Sequence, residues 1–255
     1  MYKIIASTFW LGKNLVYLPT CLSTNNFASQ LIFEGKAIEG TTVITSEQTA
    51  GRGQRGNIWE SQADKNLTFS IILKPTFLAA EKQFDLSIAI SNSIYEALAF
   101  LVPIGLKIKW PNDIYYKNKK IGGILIENQL QAKKIAWSVV GIGLNINQNS
   151  FETTKATSIS EIVGKQMDLT ILLESILSFI EVNYMQMKSS GTDKQKQNYL
   201  SNLYRYQENH QFIDLRNNSE AVFMGQILGI DVSGRLAIEK RGEIEYFRVK
   251  EVAFV

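Results

Sequence analysis

The stretch Gly51-Arg52-Gly53-Gln54-Arg55-Gly56-Asn57-Ile58-Trp59-Glu60-Ser61 decides how the rest of the chain is interpreted. It places three glycines, two arginines and a tryptophan between two apolar runs, residues 41–45 and 67–73, that are typical of strands. Glycine allows close backbone approach and exposes N–H groups, and arginine adds forked donors, so this loop suits an anionic ligand. A solvated basic hairpin loop is the alternative, and the residue types alone do not separate the two.

Two phosphate-binding templates share this glycine spacing, and both fail on context. Gly51, Gly53 and Gly56 satisfy G-x-G-x-x-G, but a dinucleotide fingerprint must open a helix, and the residues after the loop are β-rich. Gly51 and Gly56 also have P-loop spacing, yet Asn57-Ile58 stands where Lys-Ser/Thr would hold phosphate and metal. The context therefore disfavours a dinucleotide site and excludes a P-loop.

Composition restricts the chemistry. A chain of 255 residues with 45% hydrophobic residues fits one large domain or a main domain with a small appendage, and its net charge of +3 is only mildly basic. The single cysteine, Cys21, and the single histidine, His210, exclude a disulfide framework and a Cys/His zinc site within the chain. Any catalysis is therefore expected to use Lys, Arg, Asp and metal-bound substrate.

The N-terminal run carries no convincing cleavage site, and no apolar run approaches the length of a membrane span. These observations predict a cytoplasmic protein without a membrane partner.

The order of the elements predicts an α+β protein. Strands are expected at residues 15–18, 41–45, 67–73, 106–110, 114–116, 121–127 and 135–145, and helices after Ser23, across residues 84–101, from Asp168 to about Met187, and around Tyr199, Leu203 and Tyr206. From Gln211 onward, about five short alternating strands in some 45 residues are typical of a small SH3-like β-barrel. We therefore expect a first domain at residues 1–209 and the barrel at residues 210–255.

Glycines in two neighbouring strands predict a slot in the sheet. Gly122-Gly123 and Gly141-x-Gly143 would leave room for a slender apolar molecule, with Lys120 at the mouth and Asp113 nearby. A lysine there can hold a carboxylate and neutralise charge on a phosphate oxygen, and an aspartate can bind Mg²⁺ or orient an attacking amine. This chemistry describes carboxylate activation by ATP. The plainer alternative for Lys120 is an exposed turn lysine.

The N-terminal polar triplet allows two explanations. Ser23-Thr24-Asn25 precedes an apolar helical pattern, so Ser23 and Thr24 are expected to cap that helix unless they bind a ligand.

Five motifs in order resemble those of the biotin protein ligases. The matching segments are Ser23-Thr24-Asn25 with Gln48, Gly51-Arg52-Gly53-x-Arg55-Gly56 with Trp59, Lys109-Trp110-Pro111-Asn112-Asp113, Lys120-Ile-Gly-Gly-Ile-Leu-Ile-Glu127, and Gly141-Ile-Gly143-Leu-Asn145. The resemblance covers about residues 17–165 and extends to the C-terminal barrel. It implies a mixed β-sheet flanked by helices and related to the class II aminoacyl-tRNA synthetases.

The resemblance also implies a two-step reaction. Biotin and Mg·ATP give biotinyl-5′-AMP and pyrophosphate, and the biotinyl group then passes to one lysine of a biotin carboxyl carrier protein or domain of a biotin-dependent carboxylase. Carried over by position, the catalytic residues are Lys120 and Asp113, and Asp113 is also the candidate Mg²⁺ ligand. The implied biotin-binding residues are Ser23, Thr24, Asn25, Gln48, Gly51, Arg52, Gly53, Gln54, Lys120, Gly123, Gly141 and Gly143. The implied nucleotide-binding residues are Arg55, Asn57, Trp59, Lys109, Asn112 and Asn145. Trp110 and Trp59 would form walls of the site.

The sequence departs from the family pattern at two places. Gln54 replaces the second arginine of the family's usual Gly-Arg-Gly-Arg, and Asn57 stands where another arginine is frequent. We predict that Arg55 and Lys120 compensate in retaining the adenylate. Only about 22 residues precede Ser23, too few for the helix-turn-helix of the family's repressors, so no DNA partner is expected. Pairing of two copies through edge strands is compatible with the family.

Two competing functions remain. A lipoate–protein ligase or octanoyl transferase would share the fold, the lysine and the apolar slot, but the Gly-Arg-Gly-x-Arg-Gly loop and Lys-Trp-Pro-Asn-Asp favour biotin. An RNA-binding module could use the loop and the barrel, but its aromatic residues would have to cluster with the basic ones, and they do not.

Overall fold

Seven strands form a mixed sheet, in the order β1-β2-β3-β7-β6-β5-β4. The computed structural model describes residues 7–216 and 221–255, without the Arg55 side chain; residues 1–6 of the N-terminal run lie outside it. The strands are β1 Leu15–Cys21, β2 Thr42–Gln48, β3 Leu67–Leu73, β4 Leu106–Lys109, β5 Asp113–Tyr116, β6 Lys119–Gln131 and β7 Lys134–Leu144. Only β1 and β2 pair in parallel; the remaining pairs are antiparallel. The predicted mixed sheet is confirmed.

Helices cover both faces of this sheet. The helices are α1 Thr24–Phe33, α2 Gln83–Ala99, α3 Ile159–Val163, α4 Leu169–Ser190 and α5 Asp193–Ser201. On one face, Ala28 of α1 packs with Val43, Ile72 and Val139. The opposite face packs its branched aliphatic side chains into the main core, which also contains the apolar residues of α2 and α4. The glycine loop joins β2 to β3, as predicted.

Two helix ends test the capping predictions. Asp168 Oδ1 accepts hydrogen bonds from the backbone N–H groups of Thr170 and Ile171, at 2.8 and 3.1 Å, so this predicted cap is confirmed. Ser23 occupies the N-cap of α1, but its side chain makes no capping hydrogen bond. The prediction for the last helix was partly wrong. Because α5 ends at Ser201, Leu203 lies beyond it and forms a bridge with Ile108 of β4.

Five further strands form a second, antiparallel sheet. They are β8 Asn209–Asp214, β9 Ala221–Ile230, β10 Leu236–Lys240, β11 Glu243–Phe247 and β12 Val252–Phe254, in the order β11-β10-β9-β8-β12. The α+β class and the small C-terminal β unit are confirmed, whereas SH3-like closure and the division at residue 210 stay predictions. The apolar residues of this sheet join the same core cluster as the first sheet.

Within the described residues, no helix combines the length and the apolar character needed to cross a membrane.

Candidate active site

The candidate site lies on one face of four neighbouring strands, β5, β6, β7 and β3. Residues paired across a sheet point to the same face, and the facing alternates along each strand. The register therefore places two adjacent rows on this face, Asp113, Gly123, Gly143 and Thr68 in the first and Leu125, Gly141 and Ser70 in the second. Because three of these positions are glycine, the face contains a slot of about 240 Å³.

Gly141 and Gly143 must be glycine because other side chains cross directly over them. A Cβ on Gly141 would lie 2.2 Å from Oδ1 of Asn25, and a Cβ on Gly143 would lie 2.3 Å from Cε2 of Trp59. Both distances are far inside the roughly 3.5 Å at which heavy atoms make favourable contact. The glycine floor therefore allows Asn25 and Trp59 to form the walls of the slot.

Gln48 and Thr24 form the polar end of the slot. Gln48 Oε1 accepts from the backbone N–H of Thr24 at 2.8 Å and lies 3.1 Å from Thr24 Oγ1. A backbone N–H can only donate, so this contact fixes which way the amide points and leaves Gln48 Nε2 as a donor. That nitrogen lies on the side of Gly51, 2.9 Å from where a Cβ of Gly51 would stand.

A chain of hydrogen bonds sets the direction of the hydroxyl groups beside Gln48. Asn25 Nδ2 donates to the Glu127 carboxylate at 2.8 Å and to the Leu125 carbonyl at 3.3 Å. Asn25 Oδ1 therefore faces Ser70, whose Oγ lies 2.6 Å from it and 2.7 Å from Thr24 Oγ1. The Ser70 hydroxyl donates toward both of these oxygens, and Thr24 Oγ1 donates its own hydrogen to Gln48 Oε1. The second lone pair of Thr24 Oγ1 remains available as an acceptor.

Lys120 and Asp113 form the charged end. Lys120 Nζ lies 2.7 Å from Asp113 Oδ1, with the two side chains 34% and 20% exposed, and 5.9 Å from the centre of the Trp59 ring. Trp59 Nε1 and Thr68 Oγ1, which belong to residues lining the slot, are buried and have no hydrogen-bond partner among the described residues. Buried polar groups are rarely left unpaired, so these two groups are available to form hydrogen bonds with a ligand.

The glycine loop forms a short hairpin over the slot. The Trp59 N–H donates to the Gly51 carbonyl at 3.0 Å and the Gly53 N–H to the Asn57 carbonyl at 2.7 Å, on either side of a 3₁₀ turn at Gln54–Gly56. A Cβ on Gly51 would lie 2.3 Å from the Trp59 carbonyl oxygen. Gly56 has a φ of +86°, the left-handed region that favours glycine. The loop backbone therefore requires glycine at the base of the hairpin, Gly51, and at the last residue of the turn, Gly56.

A second cavity of about 490 Å³ adjoins the charged end. Lys120, Ile58 and Trp59 line both cavities, and Asn145 lies in the second one with the segment that follows β7, residues 148–156. Asn145 Nδ2 donates to the Thr157 carbonyl at 3.2 Å, so it also braces this segment. Lys120 thus stands where the two cavities meet.

Most of the predicted site residues come together. Those that line the slot are Ser23, Thr24, Asn25, Gln48, Arg52, Gly53, Gln54, Asn57, Trp59, Asn112, Asp113, Lys120, Gly123, Gly141 and Gly143. Gly51 is a buried residue of the hairpin itself, and Asn145 lies in the second cavity. The predicted role of the Arg55 side chain falls outside the described residues.

Lys109 and Trp110 point away from the slot. The Lys109 ammonium lies 4.4 Å from the centre of the Tyr115 ring and 4.9 Å from that of Phe254, and donates to the Tyr115 hydroxyl at 3.1 Å. Burial in this aromatic cage lowers the pKa of Lys109, and burial raises the pKa of Tyr115. Trp110 is buried, and its indole N–H donates to the Gly234 carbonyl of the second sheet at 2.9 Å.

Asn112 has a bracing role beside its place in the slot. Its Nδ2 donates to the Ile124 carbonyl at 2.5 Å, and its own carbonyl accepts from the Ile124 N–H at 2.9 Å. These two bonds fix the turn between β4 and β5 against β6, and with it Asp113.

The sequence reasoning missed several residues of the site. Thr68 and Ser70 are polar at alternate positions of the otherwise apolar β3, and this period-two signal was available. Glu127 ends the motif that begins at Lys120, and the motif alone predicted no role for it. Val249 and Lys250 also line the slot, but they lie in the turn between β11 and β12, and no local pattern connects them with it.

The acidic residues near the slot are few. Among the described residues there is no cluster of three or more His, Cys, Asp or Glu side chains that could hold a metal ion. Asp113 alone would therefore need co-ligands from the substrate. This donor set suits Mg²⁺, which is commonly held by one or two carboxylates together with substrate phosphates.

Comparisons with known proteins agree with this geometry. The family model described as the biotin/lipoate A/B protein ligase family matches residues 17–145. The bifunctional ligase/repressor BirA of Bacillus spizizenii is 31% identical over 240 residues, covering 92% of this chain and 72% of that protein. The biotin–[acetyl-CoA-carboxylase] ligase of Mycobacterium tuberculosis is 27% identical over 173 residues, covering 66% of this chain and 63% of that protein.

Solved structures give the same result. The biotin protein ligase from Aquifex aeolicus in complex with biotin and ATP superposes with a TM-score of 0.77 at 30% sequence identity, covering 95% of this chain and 99% of that chain. The R40G mutant of the same Aquifex enzyme, in complex with biotin, also gives a TM-score of 0.77, at 28% identity. The fold and the matched motifs together establish that this chain belongs to the biotin/lipoate A/B protein ligase family.

Proposed function

We propose that this protein is a biotin–protein ligase, which activates biotin with ATP and transfers it to a carrier lysine. The observation that carries the proposal is the slot itself, a glycine-floored groove with a neutral donor–acceptor pair at one end and a lysine–aspartate pair at the other. The relatives bear the names of biotin ligases, and one was solved with both biotin and ATP.

The polar end is complementary to a cyclic urea. A ureido carbonyl needs a donor, which Gln48 Nε2 supplies, and a ureido N–H needs an acceptor, which Thr24 Oγ1 supplies. The dithiolane of lipoate and the alkyl end of octanoate offer neither group, so they would leave both side chains unpaired, at a cost of about 1–3 kcal/mol for each buried group. This difference favours biotin over the lipoate or octanoyl alternative.

At the other end, the ligand carboxylate would replace Asp113 as the partner of Lys120. Trp59 Nε1, in a ring whose centre lies 5.9 Å from Lys120 Nζ, is a buried donor with no partner among the described residues. Exchange of partners frees the Asp113 carboxylate, which would then hold Mg²⁺ with the nucleotide phosphates or receive the carrier amine. Mg²⁺ there would neutralise phosphate charge.

The reaction follows from this placement. A biotin carboxylate oxygen attacks the α-phosphorus of ATP, a new P–O bond forms, and the bond to pyrophosphate breaks. The nucleotide occupies the second cavity with Asn145, and Lys120 stabilises the charge on the phosphoryl oxygens at the junction. The amine of the carrier lysine then attacks the carbonyl carbon of the mixed anhydride, the C–O bond breaks, and AMP leaves while the amine loses a proton.

The carrier is proposed to bind at an open edge of β6. Strand β6 pairs with β5 only as far as Gly123, and the next N–H, that of Ile124, donates to the Asn112 carbonyl. The backbone groups of Ile126, two residues further along β6, lie beyond the end of β5 and face an open edge. This edge opens into a groove that adjoins the slot and is lined by neutral side chains: Gln54, Gln83, Phe84, Ser87, Ser91, Asn112, Ile124, Leu125, Ile126, Asn128, Ser233 and Val249. An extended peptide can add to such an edge as a strand. A second copy of this chain is the other candidate for the same edge.

ATP–pyrophosphate exchange with purified protein and Mg²⁺ tests the activity. Biotin, lipoate and octanoate are added in separate reactions, and we expect exchange only with biotin. Exchange with lipoate alone would change the substrate and keep the fold, and absence of exchange with all three would refute the proposal.

The Ser87→Lys substitution tests the docking edge, because the lysine would fill the groove. We expect biotin-dependent exchange to stay unchanged and transfer to a purified biotin carboxyl carrier domain to fall by about tenfold. Ser189→Lys, at the exposed end of α4, is the matched control. Equal transfer rates for the two variants would exclude this edge.

A further inference from the structure

Glu127 stands at the polar end of the slot without lining it. It lies on the same face of β6 as Gly123 and Leu125, because all three occupy alternate positions. One oxygen of its carboxylate, Oε2, accepts from Asn25 Nδ2 and from Arg52 Nη2, both at 2.8 Å. Glu127 therefore contacts both the glycine hairpin, through Arg52, and the polar chain, through Asn25.

Each of these contacts has a separate consequence. The bond to Asn25 holds its amide with Oδ1 toward Ser70, whose hydroxyl also contacts Thr24 Oγ1. The bond to Arg52 anchors the first strand of the hairpin, where Arg52 pairs with Ile58. One carboxylate oxygen of Glu127 therefore both anchors the hairpin and orders the polar end of the slot.

We propose that Glu127 is a positioning residue that couples hairpin closure to recognition of the ureido ring, and so determines how long biotin and its adenylate stay bound. The proposal rests on the proposed biotin ligase function. Glu127 acts through Asn25 and Arg52 and does not touch the reacting atoms. It lies four residues along β6 from Gly123, roughly 13 Å away at the rise of a strand, so ATP binding at the far end is not affected.

The burial of the two partners predicts which contact matters more. Asn25 is 4% exposed, so it would lose a partner where water does not replace it. Arg52 and Glu127 have side chains that are 43% and 35% exposed, and an ion pair this open contributes little on its own. A variant that keeps an acceptor oxygen for Asn25 should therefore restore most of the function.

Kinetics of Glu127→Ala and Glu127→Gln test the coupling. For Glu127→Ala we expect the KM for biotin and the release rate of biotinyl-AMP to rise about tenfold, with the KM for ATP unchanged. For Glu127→Gln we expect a change of roughly two- to threefold. Glu34→Gln removes an exposed, ion-paired glutamate of the same charge far from the slot and is the control. Equal rises in the KM for biotin and for ATP, or no change in either, would overturn the proposal.

Limited trypsin digestion of the ligand-free protein gives a readout that does not depend on biotin. If Glu127 anchors the hairpin, Glu127→Ala should be cut after Arg52 or Arg55 several-fold faster than wild type, while Glu34→Gln should not. If the wild-type protein showed no biotin-dependent exchange, only the proposed function would be refuted. The digestion would still test whether Glu127 anchors the hairpin. Unchanged cleavage in Glu127→Ala would refute the anchoring itself.

Discussion

The two faces of β7 differ in packing, although successive residues of the strand point to them alternately. Toward the slot, Gly141 and Gly143 leave space that Asn25 and Trp59 cross. Toward the core, Val140, Ile142 and Leu144 are at most 2% exposed and pack with the helices. One strand therefore provides stability on one side and ligand space on the other. The comparison teaches that adjacent substitutions on this strand should separate activity from stability.

The largest effect is expected at the mouth of the slot. Lys120→Ala should lower biotin-dependent ATP–pyrophosphate exchange by roughly 100- to 1,000-fold, because it removes the positive charge that faces Asp113 and the second cavity. Lys119→Ala, at the exposed neighbouring position, is the matched control and should exchange normally. Unchanged turnover in Lys120→Ala would remove this residue from the catalytic role.

A substitution on the core side of β7 should lower stability and leave activity unchanged. Ile142→Ala should lower the free energy of unfolding by about 2–5 kcal/mol, because it leaves a cavity in a packed interior. Urea denaturation measures this, and the folded protein should keep its kcat/KM for biotin. A large loss of kcat/KM at unchanged stability would contradict the separation of the two faces.

A substitution on the slot side of β7 should instead lower activity, with a smaller effect on stability. Gly143→Ala should reduce kcat/KM for biotin by roughly 10- to 100-fold, because the added Cβ must displace the Trp59 ring from the slot. Its melting temperature should change less than that of Ile142→Ala, and steady-state kinetics with thermal melts on both variants checks this. If Gly143→Ala destabilised the protein more than Ile142→Ala did, the glycine would be needed for folding.

The smallest effect is expected at the hairpin. Gln54 lines the slot but carries no charge. If Arg55 and Lys120 compensate, Gln54→Arg should change the release rate of biotinyl-AMP by less than about threefold. Release is followed with labelled adenylate in the absence of carrier. A large drop in leakage would show that the two residues do not compensate.

Local sequence patterns predicted the elements well where periodicity determines them. All seven strands of the first sheet were expected close to their observed positions, because alternating or continuous apolar residues mark them. The slot was also predictable, since paired glycines in adjacent strands have few other uses.

Long-range packing explains what the sequence did not show. Lys109 was expected at the nucleotide, but its ammonium lies among Tyr115, Tyr204 and Phe254, and Phe254 arrives from the far end of the chain. No local sequence pattern predicts such an aromatic cage. Val249 and Lys250 reach the slot for the same reason, because the second sheet packs against the first.

The contact between Trp110 and Gly234 has a consequence for how the protein unfolds. The indole N–H depends on a carbonyl in the turn between β9 and β10, and that turn lies so close to α2 that a Cβ on Gly234 would stand 2.3 Å from the Phe84 ring. Both sheets also share one apolar cluster. Loss of the second sheet would expose that cluster and release the segment that carries Asn112 and Asp113. Thermal denaturation should therefore be a single cooperative transition, in which activity and C-terminal structure are lost at the same temperature.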